Sequence, residues 1–192
     1  MTTQTQTAEA ALVERIELRT ERLLLRPFRV SDVDDALAYR DDEEFARYLP
    51  WVPQPFTRRD AEEFVARNVL ESWETSPTFA VVLDGRVIGT INLEVDAKNQ
   101  IAMLGYAIAR EHWRKGLTPE AGRAAIGWGF ETFHLAKIWA STDLRNERSW
   151  RVMEKLGMRR EGLLRSHSIG RGQRIDDVWY GLLREEWDAQ GN

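Results

Sequence analysis

The sequence predicts one mixed α/β domain, and three observations carry that prediction. Apolar residues make up 43% of the 192 residues, enough to bury a substantial core. Two strand-like runs at 78–83 and 86–95 flank the pair Asp84-Gly85, which is typical of tight hairpins. A third strand-like run at 101–108 leads through a basic turn into a helix start signal. Strands and helices therefore share one sheet-based architecture, of class α/β (α+β).

The elements follow in chain order after a polar, Thr- and Gln-rich segment at 1–16, which we expect to be a flexible tail ahead of a single domain at 17–192. The strand patterns are 22–26, 78–83, 86–95, 101–108, 136–143, 158–165 and 175–183. Helical patterns begin at the capping boxes Ser31/Asp34 and Thr57/Asp60, at Glu43, at Thr118 and at the N-cap Asn146. A mostly antiparallel sheet of six to seven strands, flanked by helices, is the expected result.

Composition excludes several classes of function. A net charge of -4 does not favour nucleic acid as a partner, because phosphate contacts need a basic surplus. The absence of cysteine excludes disulfides, thiolate metal sites and a cysteine nucleophile. The three histidines lack metal-ligand spacing, so no metal is expected. No apolar run approaches the ~18 residues of a membrane span, and we expect a cytoplasmic protein without membrane contact.

The basic turn at 113–117, Trp-Arg-Lys-Gly-Leu, is the strongest local sign of a binding site. Thr118 is the expected N-cap of the following helix, with Pro119 in its first position. Free backbone N–H groups and the positive end of the helix dipole favour an anion there, and Arg114 and Lys115 add charge. A phosphate or pyrophosphate group fits this turn. The alternative is an ordinary connection whose basic residues are merely solvated.

Several motifs in the right order resemble the GNAT superfamily of N-acetyltransferases, and most closely its ribosomal-protein-alanine branch. The resemblance covers about residues 20–187. The motifs that carry it are Thr20–Phe28, Leu49–Trp51, Val87–Ile91, Gly105-Tyr106, Trp113–Ala121, Asn146–Ser149 and Glu154–Met158.

The resemblance implies acetyl-coenzyme A as co-substrate. Gly116 matches the central glycine of the family's pyrophosphate loop, while Trp113, Thr118 and Pro119 depart from its usual residues. The implied cofactor contacts are Trp113, Arg114, Lys115, Gly116, Leu117, Thr118, Ala107, Ile108, Asn146 and Ser149. The fourth and fifth strands would splay apart to admit pantetheine, and the amide near Ala107 and Ile108 would stabilise the oxyanion.

The catalytic acid and base are less well defined by the family pattern. The position of the family's usual tyrosine acid is Met153, so Ser149 is the expected hydrogen-bond donor to the thiolate. Met103 stands where a base carboxylate is common, which leaves Glu94 or His167 as candidate bases. A base acting through water is the alternative, and each candidate can instead be an ordinary surface or structural residue.

We therefore expect an N-acetyltransferase that moves acetyl directly from acetyl-coenzyme A to a primary amine in a ternary complex. The acceptor would be a small molecule or a peptide N-terminus, with Trp51 and Tyr106 lining its pocket. Two alternatives remain: transfer of a longer acyl group such as succinyl, and an acyl-coenzyme A binding protein without turnover. The expected assembly is a monomer or a homodimer.

Overall fold

The alternating apolar runs form one eight-stranded sheet. A computed structural model describes residues 13–191 of the chain. Its strands are β1 (Leu18–Arg19), β2 (Leu24–Pro27), β3 (Thr78–Leu83), β4 (Arg86–Asp96), β5 (Ile101–Ile108), β6 (Lys137–Asp143), β7 (Arg159–Gly170) and β8 (Gln173–Leu183). Across residues 13–191 the strand order is β1-β2-β3-β4-β5-β6-β8-β7, and β5–β6 is the one parallel pair.

Helices cover both faces of this sheet. The first face carries α4 (Leu117–Phe133), α5 (Glu147–Lys155) and α6 (Arg184–Asp188), packed on β4 to β8. The second face carries α1 (Val33–Arg40), α2 (Glu43–Ala46) and α3 (Arg58–Leu70). Two short 3-10 turns, Val30–Asp32 and Arg110–His112, complete the set. No helix within residues 13–191 has the length and apolarity needed to cross a membrane.

Each face has its own hydrophobic core, as the period-2 alternation of the strands requires. The first-face core includes Leu93, Ile126, Phe130, Ile138 and Leu156, all at most 1% exposed. The second-face core is built from Phe28, Tyr39, Phe64, Val65 and their neighbours. Burying apolar surface stabilises the fold by about 25 cal/mol per Å². The two cores are therefore the main stabilising contribution.

The splay between the predicted fourth and fifth strands is confirmed, and these are β5 and β6 in the structure. Only Ile101–Met103 of β5 pairs with Lys137–Trp139 of β6. Beyond Met103 the two strands separate, while β5 stays paired with β4 up to Ile108. The far half of β5 therefore presents an unpaired edge to a cleft.

Local sequence signals were right at the β3–β4 hairpin and at one of the two predicted capping boxes. Asp84 and Gly85 both have positive φ, 49° and 82°, the requirement of a type I′ turn. The Thr57/Asp60 capping box is present. The Ser31/Asp34 box is not, because Asp32 takes the N-cap position of α1, where its carboxylate accepts from Arg26 and from the Arg29 amide.

The N-terminal segment differs from the expected tail where it is described. Most of the predicted tail at 1–16 lies outside the described residues. Val13 and Ile16 pack against the first-face core. Arg15 donates to the carbonyls of Val69 and Glu71, at 2.7 and 2.8 Å. The packed part of the chain thus begins by residue 13, and the two-residue strand β1 raises the strand count to eight.

Candidate active site

The basic turn is shaped by two residues with left-handed backbone. Arg114 has φ 63° and Gly116 has φ 79°, a conformation that glycine adopts without steric cost. Helix α4 begins at Leu117 with Gly116 as its N-cap. The prediction that Thr118 is the N-cap and Pro119 the first helical residue is therefore wrong by two positions. The left-handed turn at Gly116 starts the helix earlier than the Thr-Pro-Glu signal indicates.

The turn leaves backbone donors free. Within the described chain, the amides of Arg114 to Thr118 donate no hydrogen bond to the protein. Pro119 adds no donor, because it has no N–H. Leu117 is 3% exposed and anchors the helix in the core, whereas Arg114, Lys115 and Gly116 are exposed. Converging free amides beside two cations at a helix N-terminus fit a pyrophosphate group.

A clamp from the N-terminal segment holds this turn, and sequence reasoning missed it. Arg22 donates to both the Lys115 carbonyl (3.0 Å) and the Glu120 carboxylate (2.7 Å). Thr20 donates to the same carboxylate at 2.5 Å. Burial by itself would raise the pKa of Glu120, but the hydrogen bonds from Thr20 and Arg22 outweigh it and lower the pKa. Glu120 is therefore a fixed anion that ties α4 to the segment before β2.

Trp113 closes the other side of the turn. Its indole N–H donates to the Ile108 carbonyl at 2.7 Å. The Arg148 guanidinium, from the first turn of α5, lies 4.4 Å from its ring centroid. This cation–π contact joins the turn to α5. Trp113 therefore positions the turn through its side chain.

The free edge of β5 presents specific amides to the cleft. The Ala109 N–H donates to the Ile88 carbonyl at 2.8 Å. Hydrogen bonding alternates along an antiparallel pair, so the Ala107 amide also faces β4. The amides of Tyr106 and Ile108 face the cleft instead. The geometry thus favours Ile108 over Ala107 as the oxyanion donor.

Ser149 and Tyr106 meet across the cleft on the first face. The Tyr106 hydroxyl donates to the Ser149 carbonyl at 2.8 Å and lies 3.0 Å from Ser149 Oγ. Burial raises the pKa of the Tyr106 phenol above its ordinary value, and the hydrogen bond with Ser149 offsets only part of that shift. Tyr106 therefore stays a neutral donor. We expected Tyr106 in the acceptor pocket, and the structure places its hydroxyl beside Ser149.

Asn146 stands at the N-cap position of α5 without capping it. Its side chain makes no capping bond and instead donates to Thr142 Oγ1 at 3.2 Å. The predicted cap by Asn146 is thus wrong, because its backbone (φ -84°, ψ 66°) lies outside the extended region that N-cap residues adopt. The side chain remains half-buried near the cleft end of β6.

The remaining predicted site residues are dispersed. Glu94 is exposed on β4 as the register partner of Met103. His167 is exposed on β7, with its ring edge-on to Trp179 at 6.0 Å. Trp51 is 71% exposed in the loop before α3. Their roles as base and pocket residues stay predictions.

On the second face, the sheet surface around the splay, from Asn92 on β4 to Trp179 on β8, is termed the recess. Sheet register places Asn92 beside Gly105 and Ser141 beside Trp179, with the splay between the two pairs. The Asn92 side chain lies over Gly105, where a Cβ would come within 2.3 Å of its Oδ1. Gly105 is therefore needed to seat the Asn92 amide at the cleft.

Three contacts form a rim above this recess. The Tyr48 hydroxyl donates to the Arg145 carbonyl at 3.2 Å. Glu44 pairs with Arg148 at 3.2 Å. From the β7–β8 turn, Arg171 donates to the Ala46 carbonyl at 3.1 Å. The segment around α2 is thus tied to both the β6–α5 connection and the last hairpin.

Asn92, Trp139, Trp179 and Asp177 are candidate functional residues that the sequence did not single out. Polar Asn92 between buried Ile91 and Leu93 was a detectable signal, because such a side chain faces the other side of the strand. The neighbourhood of Trp139 and Trp179 depends on pairing between distant strands. Across residues 13–191, no group of three or more His, Asp and Glu side chains could hold a metal ion.

Strands that separate beside a loop of free amides define a cleft with an anion site at its mouth. A family model described as an acetyltransferase (GNAT) domain matches residues 22–159. The chain therefore belongs to the GNAT acetyltransferase family, and it is an N-acetyltransferase.

Named relatives agree with this assignment. An uncharacterized N-acetyltransferase p20 of Bacillus licheniformis is 33% identical over 175 residues, covering 88% of this chain and 97% of the relative. A putative ribosomal N-acetyltransferase of Bacillus subtilis is 34% identical, covering 57% of this chain and 61% of the relative. The spermidine N(1)-acetyltransferase of Escherichia coli is 27% identical, covering 86% and 88%.

A solved structure confirms the fold. The crystal structure of a GNAT-family acetyltransferase from Bacillus anthracis has a TM-score of 0.80 and 29% identity, and it covers 88% of this chain and 99% of that one. The GNAT resemblance and the mixed, splayed sheet expected from sequence are thus confirmed.

Proposed function

We propose that this chain transfers acetyl from acetyl-coenzyme A directly to a primary amine, with both substrates bound at the splay. The observation that carries the proposal is the loop of free amides from Arg114 to Thr118, next to the unpaired edge of β5. Pyrophosphate binds that loop, and the pantetheine arm continues along the edge. The thioester is then held between Ile108 and Ser149, and the acceptor approaches from the recess on the second face.

The residues divide the chemistry among them. The amine must lose its proton to attack, and its ordinary pKa is about 8 to 10. The Ile108 amide stabilises the oxyanion of the tetrahedral intermediate. When the carbon–sulfur bond breaks, Ser149 Oγ, supported by Tyr106, donates a hydrogen bond to the thiolate. Glu94, His167 or a water molecule accepts the proton from the amine.

Two other functions follow from specific residues. Met153 and Met103 occupy the positions of the family's usual acid and base, and these two departures are the basis for the alternative of a binding protein without turnover. Transfer of a longer acyl group such as succinyl would instead need a basic pocket at the cleft. A cytoplasmic location and a monomeric or homodimeric assembly stay predictions.

A panel of amines tests the proposal. Purified protein is mixed with acetyl-coenzyme A or succinyl-coenzyme A and with peptide N-termini, diamines, amino acids and aminoglycosides. Thiol release and the product mass are measured together. The proposal is supported if the amine is acetylated faster than acetyl-coenzyme A is hydrolysed without an amine. Tight coenzyme A binding with no product from any amine would overturn it in favour of the non-catalytic alternative.

A further inference from the structure

Two tryptophans stand side by side on the recess side of the sheet. The rings of Trp139 on β6 and Trp179 on β8 are coplanar within 3°, with centroids 4.4 Å apart. Their chain neighbours Ile138, Val178 and Tyr180 are buried in the first-face core, so alternation puts both tryptophans on the second face. Trp139 is also the last β6 residue paired with β5. The stack therefore begins where the cleft opens.

The faces of this stack are not covered by a cation of the protein. Trp113 and Trp150 each have an arginine over the ring, Arg148 and Arg151. Across the described residues, no such contact involves Trp139 or Trp179. The helices packed on β6 and β8 are α4, α5 and α6 of the first face. One face of each ring is taken by the stack, and the His167 ring meets Trp179 edge-on at 6.0 Å. Both tryptophans are half-buried rather than buried, so part of this aromatic surface reaches solvent, and indole binds a cation more strongly than any other side-chain ring.

Asp177 adds a carboxylate beside this aromatic surface. It lies two residues before Trp179 on β8 and is the register partner of Asp143. Asp143 is neutralised by Arg145, with Nη2 to Oδ2 at 2.6 Å. Burial alone would raise the pKa of Asp143, but the hydrogen bonds and charge of Arg145 lower it.

Asp177, like Glu94 on β4, differs from the acids of the α2 segment in having no cationic partner among the described residues. Asp42 is paired with Arg110 and Glu44 with Arg148. Among residues 13–191, Asp177 makes no ion pair and its carboxylate accepts no hydrogen bond, although the side chain is half-buried. A carboxylate without a protein partner is free to form a charge-assisted hydrogen bond with a cationic ligand.

We propose that the acceptor carries a second cationic group, which binds between the Trp179 ring and the Asp177 carboxylate while its neutral amine attacks the thioester. The inference rests on the proposed function and names its substrate class: primary amines with a second positive charge on a slender apolar chain. An aromatic face and a carboxylate recognise the distant charge, whereas the reacting amine needs a site that lets it lose its proton. Specificity then depends on the distance between the two amines.

Matched substrates and variants test this inference. 1,4-Diaminobutane and n-pentylamine have similar length and differ in the second charge. Wild type should prefer the diamine by about tenfold or more in kcat/KM. Asp177→Asn and Trp179→Leu should reduce that preference severalfold, mainly through KM, with coenzyme A affinity unchanged. Trp179→Phe keeps an aromatic face and should retain most of the preference for the diamine.

Asp176→Asn is the control. Asp176 directly precedes Asp177 in the chain and faces the other side of β8, where its Oδ1 accepts a hydrogen bond from the Ser166 amide at 2.7 Å. Its diamine preference should equal that of wild type. Equal rates for the two amines in wild type, or equal losses in Asp176→Asn and Asp177→Asn, would overturn the inference and leave the transferase function standing. Acetylation of no amine would overturn both.

Discussion

In the proposed reaction, the hydroxyl groups of Tyr106 and Ser149 determine how the departing thiolate receives a hydrogen bond. The Tyr106 hydroxyl donates its hydrogen bond to the Ser149 carbonyl. In the 3.0 Å contact between the two hydroxyls, the Ser149 hydroxyl is therefore the donor and Tyr106 is the acceptor. To reach the sulfur, the Ser149 hydroxyl rotates away while Tyr106 keeps its backbone bond. In the proposed reaction Ser149 therefore contacts the sulfur directly, and Tyr106 is a positioning residue.

Ser149→Ala should lower kcat by about ten- to a hundredfold and leave coenzyme A affinity near wild type. The lost hydrogen bond is stronger to the thiolate than to the thioester, and such a bond contributes roughly 1.5–3 kcal/mol. Tyr106→Phe should have a smaller effect on kcat, because the serine hydroxyl remains. Steady-state kinetics and calorimetry measure the two quantities. A kcat within twofold of wild type for Ser149→Ala would show that Ser149 is an ordinary helix residue.

At the scale of single residues, the sequence indicated candidate site residues that lie in local motifs, but it did not indicate which distant residues lie beside them. Gly116 and Ser149 were singled out from local motifs, and they flank the cleft. Asn92, Trp179 and Asp177 were missed, because what makes them candidates is their position across the sheet. Strand register brings residues close that lie far apart in the chain, and no local pattern records it.

The clamp of Arg22 and Glu120 joins three elements: the segment before β2, the basic turn and α4. Its effect on stability is pH-dependent. The folded pKa of Glu120 is lowered, so its contribution is present above the unfolded value of about 4.3. It is lost as the pH falls through the folded pKa.

Glu120→Gln should therefore lower the melting temperature at pH 7 and flatten its fall between about pH 5 and pH 3. Melting curves at several pH values measure this. Glu131→Gln is a matched control on the same helix, because Glu131 is 72% exposed in its pair with Arg184 and such surface pairs contribute little. Parallel pH curves for wild type and Glu120→Gln would show that the clamp adds no stability.

The positions of helices and strands were predicted well, but the first residues and N-caps of α4 and α5 were predicted less well. Thr118-Pro119-Glu120 is a strong helix start signal, yet α4 starts at Leu117 because Gly116 adopts the left-handed conformation. Asn146 was expected to cap α5 but binds Thr142. In both places the backbone takes a special conformation at the site, and local propensity is overridden there.

The whole molecule is organised around the separation of β5 and β6. The order of elements along the chain predicted a mixed α/β sheet, and the resemblance to the GNAT superfamily predicted the splay. The rim could not be predicted, because its contacts join distant segments: Tyr48 with Arg145, and Ala46 with Arg171. In the proposed function, coenzyme A occupies the first-face side of the cleft and the acceptor occupies the second-face side.

The central claim is that the Arg114–Thr118 turn binds the pyrophosphate of coenzyme A. Gly116→Asp adds a side chain and a negative charge there, while Gly85→Asp makes the same change at the remote β3–β4 hairpin. Both glycines have similar backbone, φ 79° and 82°, so the cost of strain is matched. Calorimetric titration with coenzyme A is the measurement. We expect Gly116→Asp to weaken binding more than tenfold, about 1.4 kcal/mol, with Gly85→Asp unchanged; equal affinity in a folded Gly116→Asp variant would contradict the claim.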